Sequence, residues 1–146
     1  MKIKLIILLS VLTVVFISGC SKVSPSKKFV GTYTVTDAWS SSKVGTGNLN
    51  YDMMITSDGD EGILLINANK TFSGVKATVN DDQITIPSQQ ITSNAGTKYM
   101  INGYTGKLKD NNLDLKFVYS DMLYGAAVGE VECTITGTKQ KSSSDK

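Results

Sequence analysis

The feature that most constrains this chain is a period of two. Leu113, Leu115, Phe117 and Tyr119 alternate with Asp114, Lys116 and Val118. Val131, Cys133 and Ile135 alternate with Glu132, Thr134 and Thr136. The same holds for Leu49, Tyr51, Met53 and Ile55 against Asn50, Asp52 and Met54, and for Val75, Ala77 and Val79 against Lys76 and Thr78. Successive side chains of an extended strand point to opposite faces, so each run specifies one dry face and one wet face. β-Branched and aromatic residues, which suit a pleated surface, are abundant in these runs. No long stretch repeats at the helical period; Asn67 to Phe72 is the one segment read as a single helical turn or a loop.

Polar turn signals separate the runs. Asn80-Asp81-Asp82 divides a strand near 74–80 from one near 83–87, and Ser57-Asp58-Gly59-Asp60-Glu61-Gly62 divides 48–56 from 62–67. Lys109-Asp110-Asn111-Asn112 divides 98–109 from 112–120. Short connections of this kind make antiparallel hairpins. With a first strand over about 29–39 and a last over about 129–139, the expectation is about eight strands. An all-β domain of this size buries its dry faces by closing into a barrel or by stacking as a sandwich. Consecutive hairpins favour an up-and-down meander closed as a barrel or half-barrel. The sandwich is the alternative, and the gaps at 40–47 and 121–128 are where a crossing connection would fit.

The N-terminus has a different grammar. Lys2 and Lys4 precede an apolar run from Leu5 to Ile17, relieved by Ser10 and Thr13. That run has the length of a signal-peptide core and falls short of the roughly 20 residues that cross a bilayer. It ends in Ile17-Ser18-Gly19-Cys20, which resembles the bacterial lipobox. The resemblance implies cleavage before Cys20 and attachment of diacylglycerol to its thiol. Two or more acyl chains anchor a protein stably where one does not. Ser21, rather than Asp, after the cysteine points to the outer membrane. The expected organisation is a leader over 1–19, a lipidated tether over 20–28, a β domain over 29–140 and a disordered tail over 141–146.

Composition removes several function classes. Without Lys2 and Lys4, thirteen lysines face thirteen acids, so the mature chain is neutral and no nucleic-acid partner is expected. There is no arginine and no histidine, hence no guanidinium clamp for phosphate and no imidazole base or metal ligand. After lipidation only Cys133 remains as a thiol, so no disulfide or zinc cluster can form within one chain. At a dry position of the last strand, Cys133 reads as a small buried hydrophobe. No cofactor and no catalytic residue are expected.

Phe29-Val30-Gly31-Thr32-Tyr33-Thr34-Val35-Thr36-Asp37, Ile84-Thr85-Ile86-Pro87-Ser88-Gln89, Asn102-Gly103-Tyr104-Thr105-Gly106 and Cys133-Thr134-Ile135-Thr136-Gly137-Thr138-Lys139 run through the mature chain. Together they resemble the small lipocalin-like lipoproteins of Bacteroidota. The resemblance implies a lipocalin-like barrel and leaves the activity open. Lipocalins carry Gly-x-Trp on the first strand and a late basic residue. Here Gly31-Thr32-Tyr33 and Lys139 would take those places, with Tyr where the family has Trp.

Other constellations are weaker. Asp58-Gly59-Asp60-Glu61 fails the spacing of a calcium loop and reads as a solvated turn. Asp37, Asp52, Glu130 and Glu132 are the acids a glycoside hydrolase would pair. Glu132 falls on a wet face, and the chain is not expected to be an enzyme. Aromatics are the better candidates. Trp39, Tyr51, Tyr104 and Tyr124 are the candidate ligand-binding residues, as rings that would line an open mouth. Trp39, beside Ser40-Ser41-Ser42, reads as an exposed anchor, and Met122 to Val128 as an apolar cap or contact. Two functions follow: a membrane-anchored barrel that binds a small apolar ligand, or an accessory lipoprotein that binds another envelope protein.

Overall fold

The computed structural model describes residues 23–121 and 129–141. A short helix α1 (Pro25–Phe29) leads into β1 (Gly31–Ser41), β2 (Gly45–Ser57), β3 (Gly62–Ala68) and β4 (Phe72–Asn80). β5 (Gln83–Ile86), β6 (Gln89–Thr92), β7 (Lys98–Asn102), β8 (Tyr104–Lys109), β9 (Asn112–Asp121) and β10 (Glu130–Lys139) follow. Every pairing is antiparallel. β10 pairs with both β9 and β1, and this closes the sheet into a barrel of eight strands: β1 to β5, then β8, β9 and β10. The chain is therefore an all-β, lipocalin-like barrel, and the sandwich is excluded.

β6 and β7 prolong β5 and β8. Gln83 pairs with Lys107 and Ile86 with Tyr104; beyond Pro87-Ser88, Gln89 pairs with Ile101 and Thr92 with Lys98, in unbroken register. The sequence shows 98–109 as one strand because its hydrophobic pattern barely falters, yet Gly103 divides it. Across that break the register against β9 slips by one residue, from Lys107↔Asp114 to Asn102↔Val118. β6 has no counterpart in the sequence reading, since Gln-Gln-Ile-Thr is too short and polar to show a period.

Pro87 has no N–H to give the ladder. The Gln89 carboxamide fills in for it. Its oxygen accepts from the Lys76 amide at 2.9 Å, and its nitrogen donates to the Lys76 carbonyl at 2.8 Å. A side chain thus joins β4 to the β5–β6 hairpin arm where the backbone ladder lapses.

The gap expected at 40–47 is a hairpin, with β1 and β2 paired as far as Ser41↔Gly45. Asn67 to Phe72 is also a hairpin, not a helical turn. Asn69 and Lys70 both have positive φ, 50° and 55°, which is what a two-residue primed turn requires.

Alternation sends one face of each strand inward. Tyr33, Met53, Leu65, Phe72, Ile84, Ile101, Leu115 and Ile135, from eight different strands, are each 0% exposed. A side chain without accessible surface borders no water-sized space, so the barrel is filled at these levels. An eight-stranded barrel is just wide enough for side chains to fill. Burial of each large apolar side chain contributes about 1.5–3 kcal/mol.

Within the segment 20–28 expected as a tether, the residues from Pro25 onward are helical. α1 is docked on the lower end of the barrel, with Ser26 and Phe29 fully buried. Ser26 donates from its amide to the Asp60 carbonyl at 3.0 Å, and its hydroxyl donates to the Gly59 carbonyl at 2.9 Å. The apolar ring of Phe29, which the sequence placed on a strand, closes the barrel from below.

Candidate functional site

Lys139, the late cation named above, lays its side chain over Gly31, where an added Cβ would stand 2.6 Å from Lys139 Cε. Its Nζ donates to the Lys28 carbonyl at 3.0 Å, while the Tyr33 hydroxyl donates to the Phe29 carbonyl at 2.7 Å. Both satisfy carbonyls that the short helix leaves open at its end. The lower end is thereby sealed.

The upper end is different. Trp39, Leu49, Tyr99, Tyr119 and Val131 pack against the core but are only partly buried. All five lie toward the upper ends of their strands, where inward positions regain solvent. Phe72 stands edge-on to Tyr99 at 5.2 Å and to Tyr119 at 5.0 Å between ring centroids. Tyr99 and Tyr119 are 5.5 Å apart and nearly perpendicular. Such edge-to-face pairs hold the rings in fixed orientations.

A polar group lies under these rings. Asp37 shares the inward face of β1 with Tyr33 and Val35 and is fully buried. Its Oδ2 accepts from Asn69 Nδ2 at 2.9 Å and from the Tyr51 hydroxyl at 3.3 Å. The Tyr51 oxygen in turn accepts from the Asn69 amide at 2.7 Å, and Asn69 Nδ2 also lies 3.0 Å from Cys133 Sγ. The left-handed turn at Asn69 is what aims its amide and side chain down into the barrel; Asn adopts that conformation more readily than most residues. Asp37 Oδ1 has no hydrogen-bond partner. An unsatisfied buried oxygen costs about 1–3 kcal/mol.

Burial pushes the Asp37 carboxyl above the usual carboxylate range, and the hydrogen bonds from Asn69 and Tyr51 offset part of that rise. Burial likewise raises the Tyr51 phenol, helped by the Asp37 charge, and the Cys133 thiol, again with Asp37 adding to it. A thiol raised in this way is a poor nucleophile. The group can donate and accept hydrogen bonds, but it does not present an activated nucleophile. Among the described residues no three His, Cys, Asp or Glu side chains gather as a metal site.

The structure brings two of the candidate ligand residues, Trp39 and Tyr51, to the upper half of the barrel. Trp39 is not an exposed loop anchor: it lies within β1, pairs with Gly47, and rests its indole on that glycine. A Cβ at Gly47 would stand 2.5 Å from Trp39 Cζ2, so the ring lies flat where only glycine leaves room. Tyr51 fills the core and orients Asp37. Tyr104 does not join them. It follows the register slip at Gly103, is 39% exposed, and borders an outer groove with Val118, Ser40 and Glu132. A one-residue slip moves a side chain to the other side of the wall. Cys20 and Tyr124 lie outside the described residues.

Of the four acids, Asp37 is alone inside the barrel. Asp52 is outside, hydrogen-bonded to Thr34, and Glu130 and Glu132 are exposed. Asn69 escaped the sequence reading, where it lay only within the segment 67–72 read as a helical turn or a loop. The available signal was Asp37 itself, an acid at an inward position of an alternating strand.

No family model matches the sequence. No curated protein matches it significantly either. Among solved structures, the fold is similar to a Bacteroides fragilis protein described as a "putative outer membrane protein". The TM-score is 0.60 at 16% identity, over 80% of this chain and 53% of that one. The chain thus spans about half the length of that protein. At this identity the likeness establishes the shared β-barrel architecture and nothing finer.

Proposed function

We propose that this chain is an exported lipoprotein, held to a cell-envelope membrane by lipid on Cys20, whose barrel is a non-catalytic accessory domain. It works through its rim and outer wall, by binding another envelope component. The observation that carries this reading is the filled interior. Each of the eight closing strands contributes inward side chains with at most 2% exposure, which leaves no space for an apolar cargo at those levels. Support for the envelope comes from the n-region, apolar core and Ile17-Ser18-Gly19-Cys20, and from the likeness to the Bacteroides protein. The lack of His and Arg, and the dispersal of the acids, support a non-catalytic role.

A second reading is favoured by one specific observation. Asp37 Oδ1 is unpartnered directly beneath partly exposed apolar and aromatic side chains. A small ligand with an apolar body seated at the upper mouth would lie against Trp39, Tyr99 and Tyr119. Native mass spectrometry of residues 21–146 purified from the source cell separates the two. A clean apo mass, no binding of a lipophilic dye, and a reproducible crosslinked envelope partner are expected. A bound small mass that is lost on denaturation would overturn the accessory reading in favour of the ligand.

A further inference from the structure

We infer that the closed lower end of the barrel faces the membrane and that the upper mouth faces away from it. The inference rests on the lipid anchor at Cys20 proposed above and names the surface that meets the bilayer.

The argument is one of reach. α1 cannot swing. The Ser24 hydroxyl donates to the Asp60 carbonyl at 2.6 Å, and the Ser26 hydroxyl meets that of Ser57 at 2.9 Å. Ser26 and Phe29 are buried, Lys28 pairs with Asp82, and the Lys28 and Phe29 carbonyls are held by Lys139 and Tyr33. The chain is therefore fastened to the β2–β3 turn, the β4–β5 turn, β1 and β10 from Ser24 onward. Four peptide steps separate Cys20 from Ser24. At about 3.5 Å per residue they span at most ~14 Å. β1 has 11 residues. At about 3.3 Å per residue and a tilt of about 40°, the barrel stands ~28 Å tall. A lipid on Cys20 thus reaches the lower turns at Asp60 and Asp82 but not the upper turns at Lys43 and Lys70.

The chemistry of the lower turns fits a surface held near headgroups without inserting. Asp58, Asp60, Asp81 and Asp110 are exposed there beside Lys27, Lys28, Lys109 and Lys141, so the lower end carries both signs of charge. With the two signs near balance, an anionic leaflet gives the domain little net attraction, so the lipid does the holding. Trp39, Tyr99 and the turns at Lys43, Lys70 and Asn94 are consequently presented to whatever lies beyond the membrane surface.

The test uses the full acylated chain reconstituted into vesicles that carry a headgroup-attached fluorescence quencher. Single fluorophores are placed on Asp60→Cys and on Val44→Cys; the native Cys133 is buried and stays unlabelled. Flotation with the vesicles is scored first, beside Cys20→Ser. The expected result is that the acylated chain floats, Cys20→Ser does not, even with anionic lipid, and the label at 60 loses most of its emission while that at 44 keeps it. Failure of the acylated chain to float would remove the lipid anchor and this inference with it. Flotation with equal quenching at both positions, or stronger quenching at 44, would leave the anchor standing and overturn the orientation. Flotation of Cys20→Ser would show that another surface holds the membrane, and would also overturn it.

Discussion

Asn69 Nδ2 lies 2.9 Å from Asp37 Oδ2, across the mouth of the barrel from a residue 32 positions earlier in the chain. The contact ties the β3–β4 turn to the inner face of β1. It leaves the second oxygen of Asp37 without a partner. Stability at the upper end therefore depends on the charge state of one carboxyl.

Burial raises the folded-state pKa of Asp37 above its unfolded value. A group shifted in that direction contributes stability that is fully present below the unfolded pKa and is lost as pH rises through the folded pKa. Urea unfolding of the wild type, followed across acid to neutral pH, should show this loss. Asp37→Asn cannot ionise and should flatten that part of the profile. An unchanged pH profile in the variant would show that Asp37 is not the group responsible.

Cys133 is buried, and its thiol is pushed well above the ordinary range by burial first and Asp37 second. In the folded protein lacking the Cys20 thiol, a thiol reagent at neutral pH should react only as fast as the barrel opens. The reaction should become immediate in denaturant. Fast stoichiometric labelling under native conditions would contradict the geometry of the site.

Phe29 closes the lower end with a fully buried ring. Phe29→Ala should cost about 3–5 kcal/mol, the usual range for removal of a buried aromatic. A flexible tether in the same place would make the change nearly neutral. Chemical denaturation of the two proteins distinguishes the cases, and a loss below about 0.5 kcal/mol, as surface changes give, would mean that the helix is not docked.

Gln89 supplies both hydrogen bonds that join Lys76 to the opposite arm. Gln89→Ala should lower stability by about 1–2 kcal/mol, one modest increment for each bond. It should also accelerate hydrogen exchange at the Lys76 amide more than at Leu65, which pairs with Ile55 and Val75 through the backbone ladder. Equal exchange in variant and wild type would assign the joint to some other contact.

Much of the fold was legible in the alternation. Leu113 to Tyr119 and Val131 to Ile135 announce β9 and β10 because every second side chain must be dry. The turns at Asp81 and Asp110 are equally plain, with φ of 52° and 50° and short polar residues to accept them. Legibility failed where a local signal was short or was overruled. β6 is four residues with one apolar side chain. Gly103 breaks a run whose hydrophobic pattern continues through it. Phe29 reads as strand, yet packing beneath the barrel draws it into a helix.

What the sequence determined by itself was the class: strands with one dry face, joined by tight turns. Those properties are local, set by side-chain direction and turn chemistry within a few residues. Closure, the filled interior and the site were decided only by the tertiary structure. Asp37, Tyr51, Asn69 and Cys133 come from three strands and a turn, and Asn69 reaches Cys133 only once β10 has paired with β1. Hydrogen bonds across such separations are fixed by register and barrel closure, which no local pattern encodes.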